Sequence, residues 1–433
     1  MIFNEVFECM DPESLKNIQF ERLKEIVKYV SVQSSFYKKK FAEMGVTPKT
    51  IKGISDIKKL PFTTKEDMRD NYPFGLLCMP LKQIAEVHVS SGTTGNPTVV
   101  GYSKEDVDLW GEVMARALCC AGAERGDMIQ IAYGYGLFTG GLGLHYGSHK
   151  LGLTVIPCSS GQTKRQLKLM TDFKPRILAC TPSYALFMAD EARELGLNLH
   201  KSSWEIGIFG AEPWSESMRR EIEKTWDMLA TDVYGLSEII GPGVSQECQH
   251  KKGLHIFSDV FFPEIIDPKT GKEVPEGEPG ELVVTTLTKK GMPLIRYRTR
   301  DIVSINYEKC QCGRTLPRVS KIKGRTDDMI IVRGINVFPS QIEHVLLTVE
   351  GTNPHYQLIV DRKSGGMDEL EILVEVEQKF FSDEVKKLQT IEQKIKKEME
   401  STLGFSAKVR LVEPRTIERS EGKAKRVIDK RKI

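Results

Sequence analysis

At 433 residues, 40% hydrophobic and 28% charged, the chain is too long for one ordinary core, and its net charge of +3 makes no general case for a nucleic-acid or membrane partner. No apolar run is long enough to span a bilayer, and Met1–Met10 carries Glu5 and Glu8 without a basic segment, so no secretory signal is expected. Nine cysteines, an odd number spread along the chain, form no disulfide framework, and a reducing cytoplasm is the expected compartment.

An amphipathic helix opens the chain. Asp11 is a good N-cap, Pro12 fits the first helical position, and Leu15, Ile18, Leu23, Ile26, Val27 and Val30 share one face. Between residues 85 and 325, apolar runs alternate with helical patterns; the runs are Met128–Tyr133, Leu153–Pro157, Arg176–Cys180, Glu205–Phe209 and Thr231–Tyr234. That alternation predicts helices packed on a mostly parallel sheet, with chemistry in the loops after the strands' carboxyl ends. The pattern changes near Gly324–Asp328. Beyond it come a short helix around Gln341–Leu347, a strand Gln357–Asp361, a Gly365–Gly366 turn and an alternating strand Glu369–Glu377. A helix over Asp383–Leu403, with Ser382 as N-cap and Gly404 as stop, precedes a last strand, Ala407–Val412. The expectation is an α/β protein with a large domain over 1–325 and a small α+β domain over 326–433.

The most informative stretch is Ser90-Ser91-Gly92-Thr93-Thr94-Gly95-Asn96-Pro97-Thr98, just after Glu86–Val89. Glycines let the backbone approach an anion, successive amides can turn inward, and hydroxyls add donors. Its glycine spacing is not that of a kinase-type P-loop, and no Lys-Ser/Thr follows. Tyr234-Gly235-Leu236-Ser237-Glu238 offers a hydroxyl for phosphate and a carboxylate for magnesium. Arg296-Tyr297-Arg298-Thr299-Arg300-Asp301 places an acid suited to a ribose diol among arginines suited to phosphates. Gly324-Arg325-Thr326-Asp327-Asp328 lies at the change of pattern, and Ser420–Arg426 is a basic, glycine-containing loop.

Together these segments resemble the adenylate-forming superfamily, and within it the phenylacetate–CoA ligase family. The resemblance is carried by Ser90–Pro97, Tyr133–Gly141, Gly210-Ala211-Glu212-Pro213, Tyr234–Glu238, Arg333–Pro339 and Arg419–Arg426, and covers essentially the whole chain. One departure is Thr98, where many members carry a lysine. The resemblance implies the adenylate-forming fold with a small mobile C-terminal domain. It also implies activation of an arylacetic acid with ATP, followed by transfer to CoA. Ser90, Ser91, Gly92, Thr93, Thr94 and Gly95 would then hold the triphosphate, and Glu238 magnesium. Asp301 would bind the ribose, and Gly210, Ala211 and Glu212 would line the adenine slot, with Tyr234 nearby. Gly235, Ser237 and Arg325 complete the expected nucleotide contacts. Lys423, with Lys425 as the alternative, would bridge the acid and the α-phosphate, and Asp327 takes the hinge position. Tyr135, Phe138, Gly140 and Gly141 suit a pocket for a flat ring. A ligase of this fold with another acid, or an adenylyltransferase with an acceptor other than CoA, is the competing reading.

Cys310-Gln311-Cys312-Gly313 is a tight thiol pair in a turn. With Cys248 and His255 upstream it makes a three-cysteine, one-histidine set suited to a closed structural zinc site, His250 being the alternative fourth ligand. The expected partners are thus a small-molecule acid, ATP and CoA, with magnesium and zinc as metals. No nucleic acid or membrane is expected, and homodimerisation is the one macromolecular association kept open.

Overall fold

The computed structural model describes residues 1–90, 96–137, 139–325, 330–332, 335–362, 368–377, 385–403, 405–419 and 425–431. The chain divides into two compact units. The first comprises Met1–Cys180, Ser203–Ala211 and Thr231–Lys321; the second comprises Thr181–Ser202, Glu212–Ala230 and Ile322–Ile433.

In the first unit, α1 (Glu5–Glu8) leads into α2 (Pro12–Gln33) and α3 (Ser35–Glu43). Asp11 caps α2 through the amides of Glu13 and Ser14, as its sequence predicts, and Leu15, Leu23, Ile26, Val27 and Val30 are buried. After α4 (Lys65–Asp70), β1 (Ile84–Val89) and β2 (Val99–Ser103) pair antiparallel across the glycine-rich loop. Then β3 (Met128–Ile131), β4 (Thr154–Pro157), β5 (Ile177–Cys180) and β6 (Ile206–Gly210) pair in parallel, in the order β4–β3–β5–β6. Helices α5 (Lys104–Ala121), α6 (Gly140–Leu151) and α7 (Thr163–Phe173) alternate with the first of these strands, which is the geometry parallel pairing requires.

The sheet then changes character. Beside β6 lies β7 (Leu229–Leu236), followed across the sheet by β8 (Gly241–Glu247), β9 (Leu254–Ile256), β14 (Arg318–Val319) and β13 (Ile305–Asn306), and from β7 onward the pairs are antiparallel. The cause is local: residues 237–240 and 248–253 join β7, β8 and β9 as turns, and without a crossover helix successive strands must reverse. A further antiparallel set runs β10 (Phe261–Ile266), β11 (Gly280–Thr286), β12 (Tyr297–Val303).

Helices α5 and α6 pack at close range because α6 is rich in glycine. A Cβ on Gly147 would stand 2.4 Å from the Met114 Cβ and 2.7 Å from its carbonyl carbon, so a side chain there would force the helices apart.

The second unit contains α8 (Pro182–Glu194), α9 (Glu216–Trp226), the short strands β15 (Gly324–Arg325), β16 (Ile330–Val332) and β17 (Ile335–Val337), and α10 (Pro339–Leu346). Strands β18 (Thr352–Arg362) and β19 (Asp368–Val376) form an antiparallel hairpin, flanked in parallel by β21 (Val427–Asp429) on β18 and β20 (Lys408–Val412) on β19. Helix α11 (Val385–Leu403) covers this sheet through Ile391, Ile395, Met399 and Leu403, which share a core with Leu358, Ile372 and Val374. The expected elements of this region are present. Ser382, the Gly365–Gly366 turn and Gly404 lie outside the described residues.

Candidate active site and cysteine cluster

In the first unit the loop after β1 begins at Ser90, whose amide donates to the Thr98 carbonyl at 3.0 Å and whose hydroxyl meets that of Thr98. Thr98 in turn donates to Glu238 Oε1 at 3.4 Å. Ser237 Oγ lies 3.0 Å from Thr139 Oγ1, at the start of α6. Three separate segments thus converge on one corner, and Ser237 and Glu238 are both buried there. Ser91, Gly92, Thr93, Thr94 and Gly95, the rest of the sequence-predicted cradle, lie outside the described residues, as do Phe138, Asp327 and Lys423.

Backbone crowding explains the glycines around this corner. A Cβ on Gly235 would meet the Gly241 carbonyl oxygen at 1.9 Å, and one on Gly210 would meet the Val233 carbonyl oxygen at 2.2 Å. Ala211, the next residue, sits at φ +69°, a left-handed conformation costly for alanine that turns the chain sharply as β6 ends.

Tyr234 and Asp301, far apart in sequence, are joined: the tyrosine hydroxyl donates to Asp301 Oδ2 at 2.6 Å, and Asp301 is 4% exposed. The arginines flanking Asp301 are committed elsewhere. Arg296 makes a two-pronged pair with Glu264 (3.0 and 2.9 Å), Arg298 pairs with Glu281, and Arg300 with Glu66 at 2.6 Å. They brace the β10–β12 sheet and its surroundings, which a charge run in sequence does not reveal.

Tyr135, Gly140 and Gly141 come together at the start of α6. A Cβ on Gly141 would lie 3.0 Å from the Tyr135 ring, so glycine lets the tyrosine lie against the helix. The Tyr135 hydroxyl meets His145 Nδ1 at 3.2 Å, burial pushes its pKa up, and burial with the neighbouring His149 pushes that of His145 down.

Sequence reasoning missed Tyr102 and Lys289. The Tyr102 hydroxyl donates to the Ser237 carbonyl at 2.9 Å. Lys289 is fully buried, and burial lowers its pKa to about 8 against the opposing pull of Asp106 and Glu238. In sequence, Lys289-Lys290 reads as an ordinary solvated charge pair.

In the second unit, Glu212 Oε1 accepts from the Ser183 amide at 2.8 Å, satisfying an N-terminal donor of α8. Glu212 and Arg325 line one cleft of about 420 Å³, together with Glu343, Tyr356, Lys425 and Arg426. Burial raises the pKa of Glu343 against the lowering effect of Arg426, and its Oε1 accepts from the Ser215 amide at 2.9 Å.

The ligand atoms of Cys248, His255, Cys310 and Cys312 all lie within 4.8 Å of one another. Cys248 Sγ and Cys310 Sγ are 3.7 Å apart, and Cys312 Sγ is 3.4 Å from His255 Nε2. A tetrahedral zinc ion with ordinary bond lengths would set these separations at about 3.8 and about 3.6 Å, so the donor set fits that metal in number, chemistry and spacing. His250 is exposed and outside the set. Hydrogen bonding from Cys248, and then from His255, lowers the pKa of the Cys312 thiol, and His255 likewise lowers that of Cys310. Burial opposes charging His255, yet the two thiols together hold its pKa above the usual value. Cys120 packs against this cluster as a buried neighbour.

Residues 19–288 match the AMP-binding enzyme family and residues 334–431 match the AMP-binding enzyme C-terminal domain. The chain is 48% identical to the phenylacetate–coenzyme A ligase of Thermus thermophilus, over 100% of both chains. It is 45% identical to that of Escherichia coli, over 98% of this chain and 97% of the relative. Among solved structures, a 2-hydroxyisobutyryl-CoA ligase in complex with 2-HIB-AMP superimposes with a TM-score of 0.94 at 28% identity, covering 99% of this chain and 92% of that one.

The Tyr234–Asp301 bond should be detectable in solution. Tyr234→Phe, which leaves a buried carboxylate short of a donor, should lower the unfolding free energy by about 1–3 kcal/mol. An unchanged chemical-denaturation midpoint would contradict it.

Proposed function

The chain belongs to the phenylacetate–coenzyme A ligase family of AMP-binding enzymes, and from that membership we infer how its residues divide the work. It is an AMP-forming acid–thiol ligase: it activates phenylacetate with ATP as the acyl-adenylate, with release of pyrophosphate, and passes the acyl group to the thiol of CoA. The observation that carries the division of roles is the buried Glu238 carboxylate, with the Thr98 hydroxyl at 3.4 Å.

Displacement at phosphorus asks little covalent chemistry of a protein, so orientation and charge neutralisation dominate. Ser90 and the loop through Gly95 hold the triphosphate tail with amides and hydroxyls, and Ser237 adds a donor. The Glu238 carboxylate, with the Thr98 hydroxyl beside it, would suit magnesium, which when bound would neutralise the polyphosphate charge. Asp301, oriented by Tyr234, receives the ribose hydroxyls. Gly210, Ala211 and Glu212 line the adenine slot, with Tyr234 nearby, and Gly235 and Arg325 are further nucleotide contacts. Lys423 bridges the attacking carboxylate and an α-phosphate oxygen, lowering the repulsion between the two anions; Asp327 is the hinge between half-reactions. Tyr135, Phe138, Gly140 and Gly141 wall the aryl pocket. Cys248, His255, Cys310 and Cys312 hold zinc with no position left for a substrate, so its role is structural. Free cysteines throughout the described chain suit a reducing cytoplasm.

The substrate assignment is tested by kcat/KM for phenylacetate, indole-3-acetate, acetate and a medium-chain fatty acid at saturating CoA. Burying the ring should contribute about 2 kcal/mol, so phenylacetate should exceed acetate by more than about tenfold; preference for either aliphatic acid would refute the aryl pocket. Lys423→Ala should abolish adenylate formation yet spare thioester formation from supplied acyl-adenylate, and equal loss in both steps would contradict its role. Purified enzyme should carry about one zinc per chain. Cys310→Ser should lower zinc content and thermal midpoint together, whereas active protein free of metal would exclude the site.

A further inference from the structure

Lys289 lies between β11 and β12 and is 0% exposed. Its Nζ donates to the carbonyl of Ile239 at 2.8 Å and to that of Glu238 at 3.4 Å, and stands 4.4 Å from the centre of the Tyr102 ring. Among the described residues it makes no ion pair: the ammonium contacts two backbone carbonyls and a ring face, and the Asp106 and Glu238 carboxylates act on it from beyond ion-pair distance. Burying a charge on such terms is costly, and a methionine would fill the same space without the cost. A charge kept in that place calls for something that needs it.

What it touches is the turn that carries Glu238. The amides of Ile239 and Ile240 both donate to the Leu236 carbonyl, at 3.0 and 3.2 Å, which makes residues 236–240 one helical turn. Carbonyls at the end of such a turn have no partner within it and carry partial negative charge. Lys289 caps them. Tyr102, over whose ring the ammonium sits, holds the preceding carbonyl of Ser237 at 2.9 Å. With the backbone on both sides of Glu238 fixed from within the core, its carboxylate is left to meet Thr98.

We propose that Lys289 is a positioning residue for Glu238: it clamps the backbone of the turn so that the carboxylate is presented to the metal–triphosphate complex in one orientation. This rests on the reading of Glu238 as the magnesium ligand. Residues that orient metal ligands change metal affinity by about 10- to 100-fold when replaced.

The test is calorimetric titration of the full-length enzyme with α,β-methylene ATP, in magnesium and again in EDTA, with neither acid nor CoA present. Wild type should bind more tightly with magnesium. Lys289→Met should keep the affinity measured in EDTA and lose about tenfold or more of the magnesium-dependent gain. Glu238→Gln should lose that gain as well. A wild-type gain in Lys289→Met beside a lost gain in Glu238→Gln overturns the proposal alone. A wild-type gain in Glu238→Gln overturns the ligand reading and the proposal with it. Equal weakening of Lys289→Met in magnesium and in EDTA also overturns it, because that is the mark of a general packing defect. Should Lys289→Met show no cooperative melting transition, Lys289→Gln, which keeps a donor without the charge, is titrated in its place and judged by the same results.

Discussion

Four carbonyl oxygens that follow β7 are held by donors from three other elements. Tyr102, on β2, takes that of Ser237; Lys289, beyond β11, takes those of Glu238 and Ile239; Trp110, on α5, donates its indole N–H to that of Pro242 at 2.9 Å. The donors also support each other, since the Tyr102 and Trp110 rings stack 5.3 Å apart. A buried carbonyl that loses its donor costs about 1–3 kcal/mol, so the corner cannot be rearranged one bond at a time. The side chains of Ser237 and Glu238 inherit that rigidity.

Much of this was legible in sequence where one residue decides one local feature. Asp11 before Pro12 fixed the start of α2 because both act within one turn. The alternating apolar runs marked β3 to β7 for the same reason. The antiparallel half of the sheet was not legible, since β9, β13 and β14 are two or three residues long and too short for any periodicity. At the site, sequence supplied residue types and left their partners open. Asp301 stood out in sequence as an acid among arginines, while its tie to Tyr234 spans 67 positions. The three arginines beside it looked available for phosphate and are paired with Glu264, Glu281 and Glu66, because an ion pair formed across elements leaves no trace in either segment. Lys289 was invisible for a sharper reason: lysine is the residue least expected to be buried without an acidic partner.

The cysteine cluster is a second place where distant segments are tied, and its influence reaches the amino terminus. Arg314, two positions after Cys312, donates to Glu8, with both side chains at 3% exposure or less. Thr315 adds hydrogen bonds to the carbonyls of Glu8 and Met10, at 3.0 Å from its amide and 2.6 Å from its hydroxyl. Cys9 Sγ meets the Gly313 carbonyl at 3.6 Å. The thiol turn therefore has two faces, one toward Cys248 and His255 and one toward residues 1–10. Breaking a buried pair such as Arg314–Glu8 from one side costs about 3–5 kcal/mol, which is comparable to much of a domain's net stability. A metal at Cys248, His255, Cys310 and Cys312 would do more than close a loop, because the turn it fixes is the platform for the first helix.

Close contacts also explain a helix that should be a poor one. Helix α6 opens Gly140-Gly141-Leu142-Gly143 and carries Gly147 a turn later; each glycine costs about 1 kcal/mol of helix propensity relative to alanine. The compensation is distance. At Gly143 the Trp110 ring would stand 2.5 Å from a Cβ, and at Gly147 the Met114 backbone would stand 2.7 Å away. Glycines thus allow α5 and α6 to meet backbone to side chain, and Trp110 reaches Pro242 only because α6 lets it pass. Thr139, immediately before that helix, meets Ser237. Helix α6 and the Glu238 turn are for this reason not independent: a substitution that moved α6 would also displace Trp110 and Thr139, and through them the turn that carries Glu238.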